Sequence, residues 1–370
     1  MVFSFTPEHE ALRDAVRSFA RAALPEAELR KAIETPAGFD ESTWGRMATE
    51  LGLPGLAVPE RYDGSGAGLV ELAIVADELG RALYSGPLTS TALAAGAILS
   101  SGDEAAVADL LPGIAAGDTI ATVAVAEADG RWDESAVHCT ATPTADGWTL
   151  RGTKHYVADA HVSELLVVAA RVGPDVALFV VRTGDPRMRV VPVTGFDLTR
   201  RVALVELDGV PARLLGEVVD GPRMLARLLD AACVLSSAEA VGGAAAVLDM
   251  AVGYAKERVQ FGRVIGSFQA IKHMCADALL DVESARSAAY YAAWAAADNS
   301  HEISTVAPLA KAFCSDVFFD TAALNMQVHG GISFTWEHPC HLYYRRAKSA
   351  KQLWGAPREH RDKLAAALGL

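Results

Sequence analysis

Apolar residues recur three or four positions apart through the first third of the chain, which places them on one face of an α-helix. The segment Thr6-Pro7-Glu8 is typical of a helix start, because a hydroxyl can cap free amides, proline fits the first turn, and an acid faces the positive end of the helix dipole. The pattern predicts an α-helical domain over residues 1–117. Its helices are expected at residues 7–24, 40–52, 70–83, 88–100 and 104–114.

Between residues 118 and 220 the pattern changes to an alternation of apolar and polar positions. Short runs rich in β-branched residues are separated by clusters of glycine, proline and aspartate. This pattern predicts a middle domain of antiparallel strands, closed as a barrel or packed as a sandwich. Its strands are expected at residues 120–125, 136–142, 148–154, 164–171, 176–181, 188–192 and 201–207.

Helical spacing returns at Gly221 and continues to the end of the chain. The predicted helices are long and have alanine-rich faces, which is typical of helices that pack against one another. They are expected at residues 224–259, 267–299, 304–330 and 338–350. The pattern therefore predicts a four-helix bundle over residues 221–370 and an α+β multidomain fold for the whole chain.

Composition and charge exclude several classes of function. A net charge of −13 argues against nucleic-acid binding, which needs an excess of clustered lysine and arginine. The five cysteines are scattered and lack metal-ligand spacing, so neither a metal site nor a disulfide framework is expected. The amino terminus does not resemble a signal peptide, and no uncharged apolar run reaches about 18 residues. We therefore expect a soluble cytoplasmic protein.

Two stretches carry candidate binding chemistry: YAKERVQFGRVIGSFQ at residues 254–269 and QVHGGISFTWEH at residues 327–338. Arg258 and Gln260 follow the end of a predicted helix, where a guanidinium and an amide can reach a phosphate or diphosphate. The pair Gly330-Gly331 has no Cβ, so a ligand can approach the backbone closely and successive amides can face an anion. Each feature alone also fits a surface arginine or a glycine that ends a helix. Only their combination points to a ligand site.

In combination, these stretches resemble the carboxyl-terminal domain of the acyl-CoA dehydrogenase family. The segments VPERYDGSG at residues 58–66 and GTKHYVADA at residues 152–160 extend the resemblance over essentially the whole chain. The resemblance implies FAD-dependent α,β-desaturation of an acyl-CoA thioester, with an electron-transfer flavoprotein as the acceptor. It also implies a set of residues that reach across a dimer to a neighbour's FAD: Arg258, Gln260, Phe261, Phe268, Gln269, Gln327, Val328, His329, Gly330 and Gly331.

The family resemblance further implies a glutamate base that removes the α-proton of the thioester while the β-hydrogen leaves as a hydride to the flavin. Along the family's motifs, the usual position of this glutamate falls on Trp354 and its alternative position falls on Ala232. Cys233 stands where a substrate-facing arginine is expected. None of these side chains can accept the proton as the reaction requires. Glu239 and Glu359 are candidates for a relocated base, although a structural or solvated carboxylate is the favoured interpretation of each.

The middle domain also departs from the family pattern. It keeps Glu127 but has Ala126 where a threonine is usual, and Tyr156-Val157-Ala158 replaces a Trp-Ile-Thr segment, so hydroxyls that would hold the flavin ring are missing. We interpret the chain as resembling the non-catalytic β subunit of α2β2 steroid-CoA dehydrogenases of actinobacteria, one that completes the FAD site of a homologous, base-carrying subunit. Two alternatives stay open. One is a self-sufficient homo-oligomeric dehydrogenase with Glu239 as base, and the other is a non-redox acyl-CoA-binding or scaffold protein.

Overall fold

The computed structural model describes residues 4–298 and 300–369. Residues 1–3 and 370 of the predicted outer domains, and residue 299 at the predicted end of a helix, lie outside the described residues. The amino-terminal part is helical, as predicted, and contains one helix more than expected, α2, which follows Pro25. Its helices are α1 (Pro7–Ala23), α2 (Glu26–Glu34), α3 (Glu41–Leu51), α4 (Leu69–Arg81), α5 (Leu88–Ser100) and α6 (Glu104–Ala115).

Local capping groups explain where these helices begin and end. The Thr6 hydroxyl accepts a 3.4 Å hydrogen bond from the amide of His9, which caps α1. The Asp40 carboxylate accepts a 2.7 Å bond from the amide of Thr43 and caps α3 in the same way. Helix α3 ends at Gly52, which takes the left-handed conformation with a φ of 61°. The predicted helix starts therefore rest on ordinary local chemistry.

The middle part is a seven-stranded sheet that closes on itself. Strands β4, β2, β3, β7 and β5 pair in succession and β5 pairs back to β4, while β1 joins β4 and β6 joins β7. The predicted barrel is confirmed, although β4 pairs in parallel with β1, with Ala121 opposite Leu165, and with β2, with Thr140 opposite Arg171. The strands are β1 (Ala121–Ala124), β2 (Thr140–Thr144), β3 (Gly147–Ala158), β4 (Leu165–Val172), β5 (Asp175–Arg182), β6 (Met188–Val193) and β7 (Val202–Leu214).

Strand β4 shows how the barrel joins the rest of the molecule. Its first six residues, 165–170, are all buried. Leu166 and Val168 belong to the core inside the barrel, whereas Leu165 and Val167 belong to the large core shared with the helices. Both faces of the strand are therefore covered, which explains why its sequence is continuously apolar.

The carboxyl-terminal part is again helical. Four of its helices match the predicted bundle, and a fifth, which was not predicted, packs against the third of them. A short hairpin of β8 (Val259–Gln260) and β9 (Arg263–Val264) connects the first two helices. The helices are α7 (Gly221–Glu257), α8 (Gln269–Ala297), α9 (Ile303–His329), α10 (Cys340–Ala350) and α11 (Pro357–Ala367). The predicted boundaries near residues 117 and 220 fall in the segments that connect these three parts.

Helix α7 is the central element of the fold. A Cβ on Gly242 would lie 1.8 Å from the Asp77 carbonyl of α4, so only glycine permits this close approach of the two helices. By length and composition the segment Val218–Glu257 could cross a membrane, but most of its apolar window is buried in the fold, as in the core helix of a soluble protein. The amino- and carboxyl-terminal parts therefore share one core.

Candidate cofactor and active site

The first predicted binding stretch forms an exposed hairpin after α7. Arg258 leaves the helix in an extended conformation, and Val259 then pairs with Val264. The turn consists of Phe261 and Gly262, with φ angles of 53° and 76°. A positive φ is unfavourable for a bulky aromatic residue, and the Phe261 side chain is 91% exposed. The described part of the chain leaves the ring uncovered, so its position suggests a function in contacts with another molecule.

Aromatic and cationic groups surround the base of the hairpin. The rings of Phe261 and Phe268 meet edge to face with their centroids 6.1 Å apart. The Arg263 guanidinium carbon lies 4.0 Å from the centroid of the Phe268 ring, which is within cation–π range. Gln269 follows as the exposed first residue of α8. The hairpin therefore presents a cation, amides and aromatic faces on one surface.

The fold brings the second predicted stretch next to the first. Ala251 and Ala255 near the end of α7 form a buried cluster with Val328 near the end of α9. In the same place, the rings of Tyr254 and His329 stack with their centroids 4.2 Å apart. Two stretches that are distant in sequence thus end at the same place on the molecule.

The two glycines that follow α9 differ in whether the structure of this chain requires a glycine. Gly330 has a φ of 65° and a ψ of −140°, a backbone conformation that is essentially restricted to glycine. Gly331 has no such φ, and a Cβ at this position would meet no atom of the described residues within 4 Å. The packing of this chain therefore does not require glycine at position 331. A ligand that approached the backbone closely at this position would require it.

Of the ten predicted cofactor-binding residues, the structure exposes seven and buries two. Val328 and His329 are buried, and the His329 Nδ1 donates a 2.9 Å hydrogen bond to the Asn325 carbonyl. Their side chains point into the fold, so only their backbone could contact a ligand bound on the outer surface. Phe268 is half-buried, and the exposed residues are Arg258, Gln260, Phe261, Gln269, Gln327, Gly330 and Gly331.

Exposed apolar side chains surround this surface. Phe334 and Trp336 follow the glycine turn and are 78% and 64% exposed, while Val259 and Ile332 are also classed among the exposed large apolar residues. With Phe261 they are five exposed large apolar side chains within the two predicted binding stretches, and we call this set the exposed patch. Such a patch is typical of a protein–protein interface.

The retained glutamate of the middle domain has a structural role. Glu127 forms a 2.7 Å ion pair with the fully buried Lys154 and accepts hydrogen bonds from the amides of His138 and Cys139. Burial alone would raise the pKa of Glu127, but the Lys154 charge and these hydrogen bonds outweigh it and hold the pKa below its usual value. The carboxylate therefore joins the first loop of the barrel to β3.

At the position expected for the catalytic glutamate, the Trp354 indole is buried and packs on Trp132 of the middle domain, with ring centroids 4.6 Å apart. Trp132 lies in the loop between β1 and β2 that also contains Ala126 and Glu127, and its contribution was not apparent from the sequence. Trp354 and Ala158 line a cavity of about 50 Å³. Small-molecule sites usually enclose roughly 300–1,000 Å³. The cavity is smaller than such sites.

The same cavity contains Glu239, which two arginines neutralise. Both Glu239 carboxylate oxygens accept from the Arg200 guanidinium, at 2.6 and 2.8 Å, and Arg346 binds one of them. Burial raises the pKa of Glu239, but the positive charges of Arg200 and Arg346 have the larger combined effect and lower it. Arg346 also forms an ion pair with Asp197 and donates to Thr199. Sequence spacing could not reveal this network, because its members come from three distant segments.

The other positions considered for a base are equally unsuited in geometry or chemistry. Glu359 is exposed in the first turn of α11, where it accepts a 3.0 Å hydrogen bond from the amide of Ala356 and caps the helix. Ala232 and Cys233 are buried in α7, and burial raises the pKa of the Cys233 thiol to about 12. A thiol with so high a pKa stays protonated at neutral pH.

The fold and these sites define a class: a three-part protein with a helical domain, a closed β barrel and a helical bundle, in which one surface suits a dinucleotide. Comparison with known proteins agrees. The acyl-CoA dehydrogenase N-terminal domain matches residues 6–118, and the acyl-CoA dehydrogenase C-terminal domain matches residues 220–369. The chain belongs to the acyl-CoA dehydrogenase family, whose members are flavoprotein oxidoreductases that act on acyl-CoA and use FAD.

Individual relatives cover almost the whole chain. The acyl-CoA dehydrogenase IpdE2 of Mycolicibacterium smegmatis is 32% identical over 97% of this chain and 98% of its own. A solved structure of a variant of the Tcur3481-Tcur3483 steroid ACAD is 31% identical, with a TM-score of 0.90 over 98% of each chain. The ChsE4-ChsE5 complex from Mycobacterium tuberculosis is 28% identical, with a TM-score of 0.91 over 100% of this chain and 99% of that chain.

The exposed surface of the carboxyl-terminal part and the β barrel fit FAD differently. The exposed Arg258, the hairpin amides and the open face of Gly331 suit the diphosphate part of the cofactor. The chain's own barrel does not suit the flavin ring, because Ala126 and Ala158 lack hydroxyls that would bond to the ring and the cavity beside Ala158 is small.

Proposed function

We propose that this chain is the non-catalytic subunit of a heteromeric, FAD-dependent acyl-CoA dehydrogenase. In this proposal it supplies Arg258, the hairpin and the Gly330-Gly331 turn to the FAD site of a homologous subunit that carries the catalytic glutamate. The assembly is an α2β2 heterotetramer in the cytoplasm, and an electron-transfer flavoprotein accepts the electrons.

One observation carries the proposal. The outward-facing half of the site, which contains Arg258 and the Gly330-Gly331 turn, is open, while the inward-facing half around Trp354 and Glu239 is filled. The packing of the described residues does not require the glycine at position 331, and five large apolar side chains of the two predicted binding stretches are exposed. In contrast, the Trp132–Trp354 pair and the Arg200–Glu239–Arg346 network occupy the region expected for the base and the flavin ring. A chain of this kind can complete another subunit's site but cannot form its own.

The relatives support the heteromeric part of this proposal. Two of the solved structures named above are described as pairs of different proteins, and one of them is called a steroid ACAD. By analogy, we propose that the substrate is a bulky acyl-CoA such as a steroid side-chain thioester.

The arrangement of Glu239 disfavours a self-sufficient enzyme. A general base must be able to accept a proton near the operating pH. The two arginines lower the pKa of Glu239, and its carboxylate oxygens already accept hydrogen bonds from them. We therefore assign Glu239 a structural role within the filled half of the site.

The test is to purify the chain alone and together with a homologous subunit that carries the glutamate. The chain alone should be colourless, whereas the complex should contain two FAD per four chains and reduce its flavin with acyl-CoA. In the complex, Arg258→Ala should weaken FAD binding by about 1.5–3 kcal/mol, the usual contribution of a charge-assisted hydrogen bond, or roughly 10- to 150-fold in Kd.

The matched control is Arg189→Ala, which removes another exposed arginine on the outer strand β6 and should leave FAD binding unchanged. A yellow chain that desaturates a thioester without a partner would contradict the proposal. Equal losses of FAD in the two variants would contradict the role assigned to Arg258.

A further inference from the structure

We infer that His329, His338 and Cys340 form a binding site for a zinc ion, beneath the turn that contains Gly330 and Gly331. One nitrogen of each imidazole and the Cys340 sulfur lie within 4.8 Å of one another. Two imidazoles and a thiolate are a donor set that zinc accepts in proteins. Cysteine spacing alone predicts no such site, because the set combines one cysteine with two histidines.

The hydrogen bond of His329 fixes its tautomer. Its Nδ1 lies 2.9 Å from the Asn325 carbonyl oxygen, which can only accept, so Nδ1 carries the proton and Nε2 has a free lone pair. Stacking on Tyr254 holds the ring in place. Metal-binding histidines commonly donate their second nitrogen to a backbone carbonyl in this manner.

The surroundings of Cys340 provide a second, independent observation. The side-chain amide of Asn325 is fully buried, and its nitrogen lies 3.2 Å from the Cys340 sulfur and 3.4 Å from the Met250 sulfur. Its oxygen has no hydrogen-bond partner among the described residues. A buried amide with only sulfur partners is weakly satisfied when the sulfur is a neutral thiol. A metal-bound thiolate would be a stronger acceptor for the same N–H group.

The dimensions require only a modest adjustment. Zinc–nitrogen and zinc–sulfur distances of about 2.0–2.3 Å in a tetrahedron place ligand atoms about 3.4–3.6 Å apart. The donor atoms, now within 4.8 Å, would therefore approach by no more than about 1.4 Å. His338 can supply this movement, because it is half-buried and its Nδ1 accepts only a long 3.3 Å bond from the Cys340 amide.

The position gives the site a structural consequence. His329 is the last residue of α9 and Cys340 is the first residue of α10. An ion bound by both would fix the intervening segment 330–339, which contains the glycine turn and the exposed Phe334 and Trp336. Zinc would therefore stabilise the conformation of segment 330–339 without contacting a molecule bound to the exposed surface.

The experiment is a titration of Co²⁺, a spectroscopic substitute for zinc, into the full-length chain in the assembly in which it purifies, after chelation of bound metals. Difference spectra against the cobalt-free sample remove the contribution of any flavin. We expect one Co²⁺ per chain, a thiolate-to-cobalt charge-transfer band, and displacement of the Co²⁺ by Zn²⁺. Cys340→Ser should abolish the band and weaken binding more than about 100-fold, since even changes beyond the ligands cost 10- to 100-fold.

Cys275→Ser and His301→Gln remove the same residue types elsewhere and should keep the band. His338→Gln changes a half-buried ligand and provides a second test if Cys340→Ser does not fold, as judged by circular dichroism. Failure to bind cobalt stoichiometrically would overturn the inference. Binding without a thiolate band, a band that persists in a folded Cys340→Ser protein, or an unchanged affinity for Co²⁺ in a folded His338→Gln protein would overturn it as well.

Discussion

Replacement of Gly331 by alanine separates the needs of this chain from the needs of a ligand. The new methyl group would meet no atom of the described residues within 4 Å, and the backbone φ at this position is not in the left-handed region. Loss of a glycine at such a site reduces the freedom of the unfolded chain and stabilises a protein by about 0.4–1 kcal/mol. The fold should therefore tolerate the change or gain slightly in stability.

FAD binding by the complex should respond in the opposite direction. If the dinucleotide contacts the backbone at Gly331, the added methyl group must be accommodated in a packed interface. Extra methyl groups in packed sites cost about 1–3 kcal/mol. This corresponds to a Kd that rises about 5- to 150-fold. The assay is a titration of FAD into the flavin-free complex, followed by the quenching of flavin fluorescence, with thermal unfolding measured on the same samples.

Gly45→Ala is the matched control. Gly45 lies inside α3, and a Cβ there also meets no described atom within 4 Å, but the position belongs to the amino-terminal helices. The control should raise the unfolding temperature and leave the Kd for FAD unchanged. If Gly331→Ala binds FAD as tightly as the control does, the close approach of the cofactor to this turn is refuted.

Three further changes test the filled half of the site and the exposed patch. Glu239→Gln should destabilise the complex by about 3 kcal/mol at pH 7, because Arg346 loses a buried partner, and should leave turnover per flavin unchanged. Folding lowers the pKa of Glu239, so its contribution to the free energy of unfolding is fully present above the unfolded pKa, near 4.5. In chemical unfolding measurements, the difference in this free energy between variant and parent should therefore fade as the pH falls below that value. Trp354→Ala should cost about 3–5 kcal/mol in thermal unfolding through the cavity left beside Trp132, and a loss of turnover per flavin in the folded variant would contradict its structural role. Phe334→Asp should leave the subunits folded but separate them in size-exclusion chromatography, and an intact complex would exclude that side chain from the interface.

The order of the secondary structure could be read from the sequence because periodicity is a local property. The alternation in the middle domain and the helical spacing on both sides of it predicted nearly every element. Helix α2 was missed because it is short and follows a proline. The parallel pairing of β1 with β4 could not be predicted either, since strand direction within a sheet depends on the connections and not on the pattern of a single strand.

The candidate site was predictable only in part for the same reason. Arg258 and Gly331 lie in continuous motifs, so their neighbours in sequence indicate their role. The partners of Glu239 come from other segments of the chain, and no spacing rule connects Arg200 or Arg346 to it. The motif showed that position 354 carries no base, but it could not show that Trp132 packs on the Trp354 indole.

Under the proposed function, the outward surface and the region around Trp354 and Glu239 are subject to different physical demands. An open flavin pocket is a cavity in the folded chain and lowers its stability until a ligand fills it. Once another subunit carries the base, side chains that fill the space are favoured, and here an indole pair and a buried ion-pair network occupy it. In the same proposal the outward surface has no such alternative, because its exposed arginine, amides and glycines would make their contacts only with the partner. A substitution there would be felt at the intact site of the other subunit.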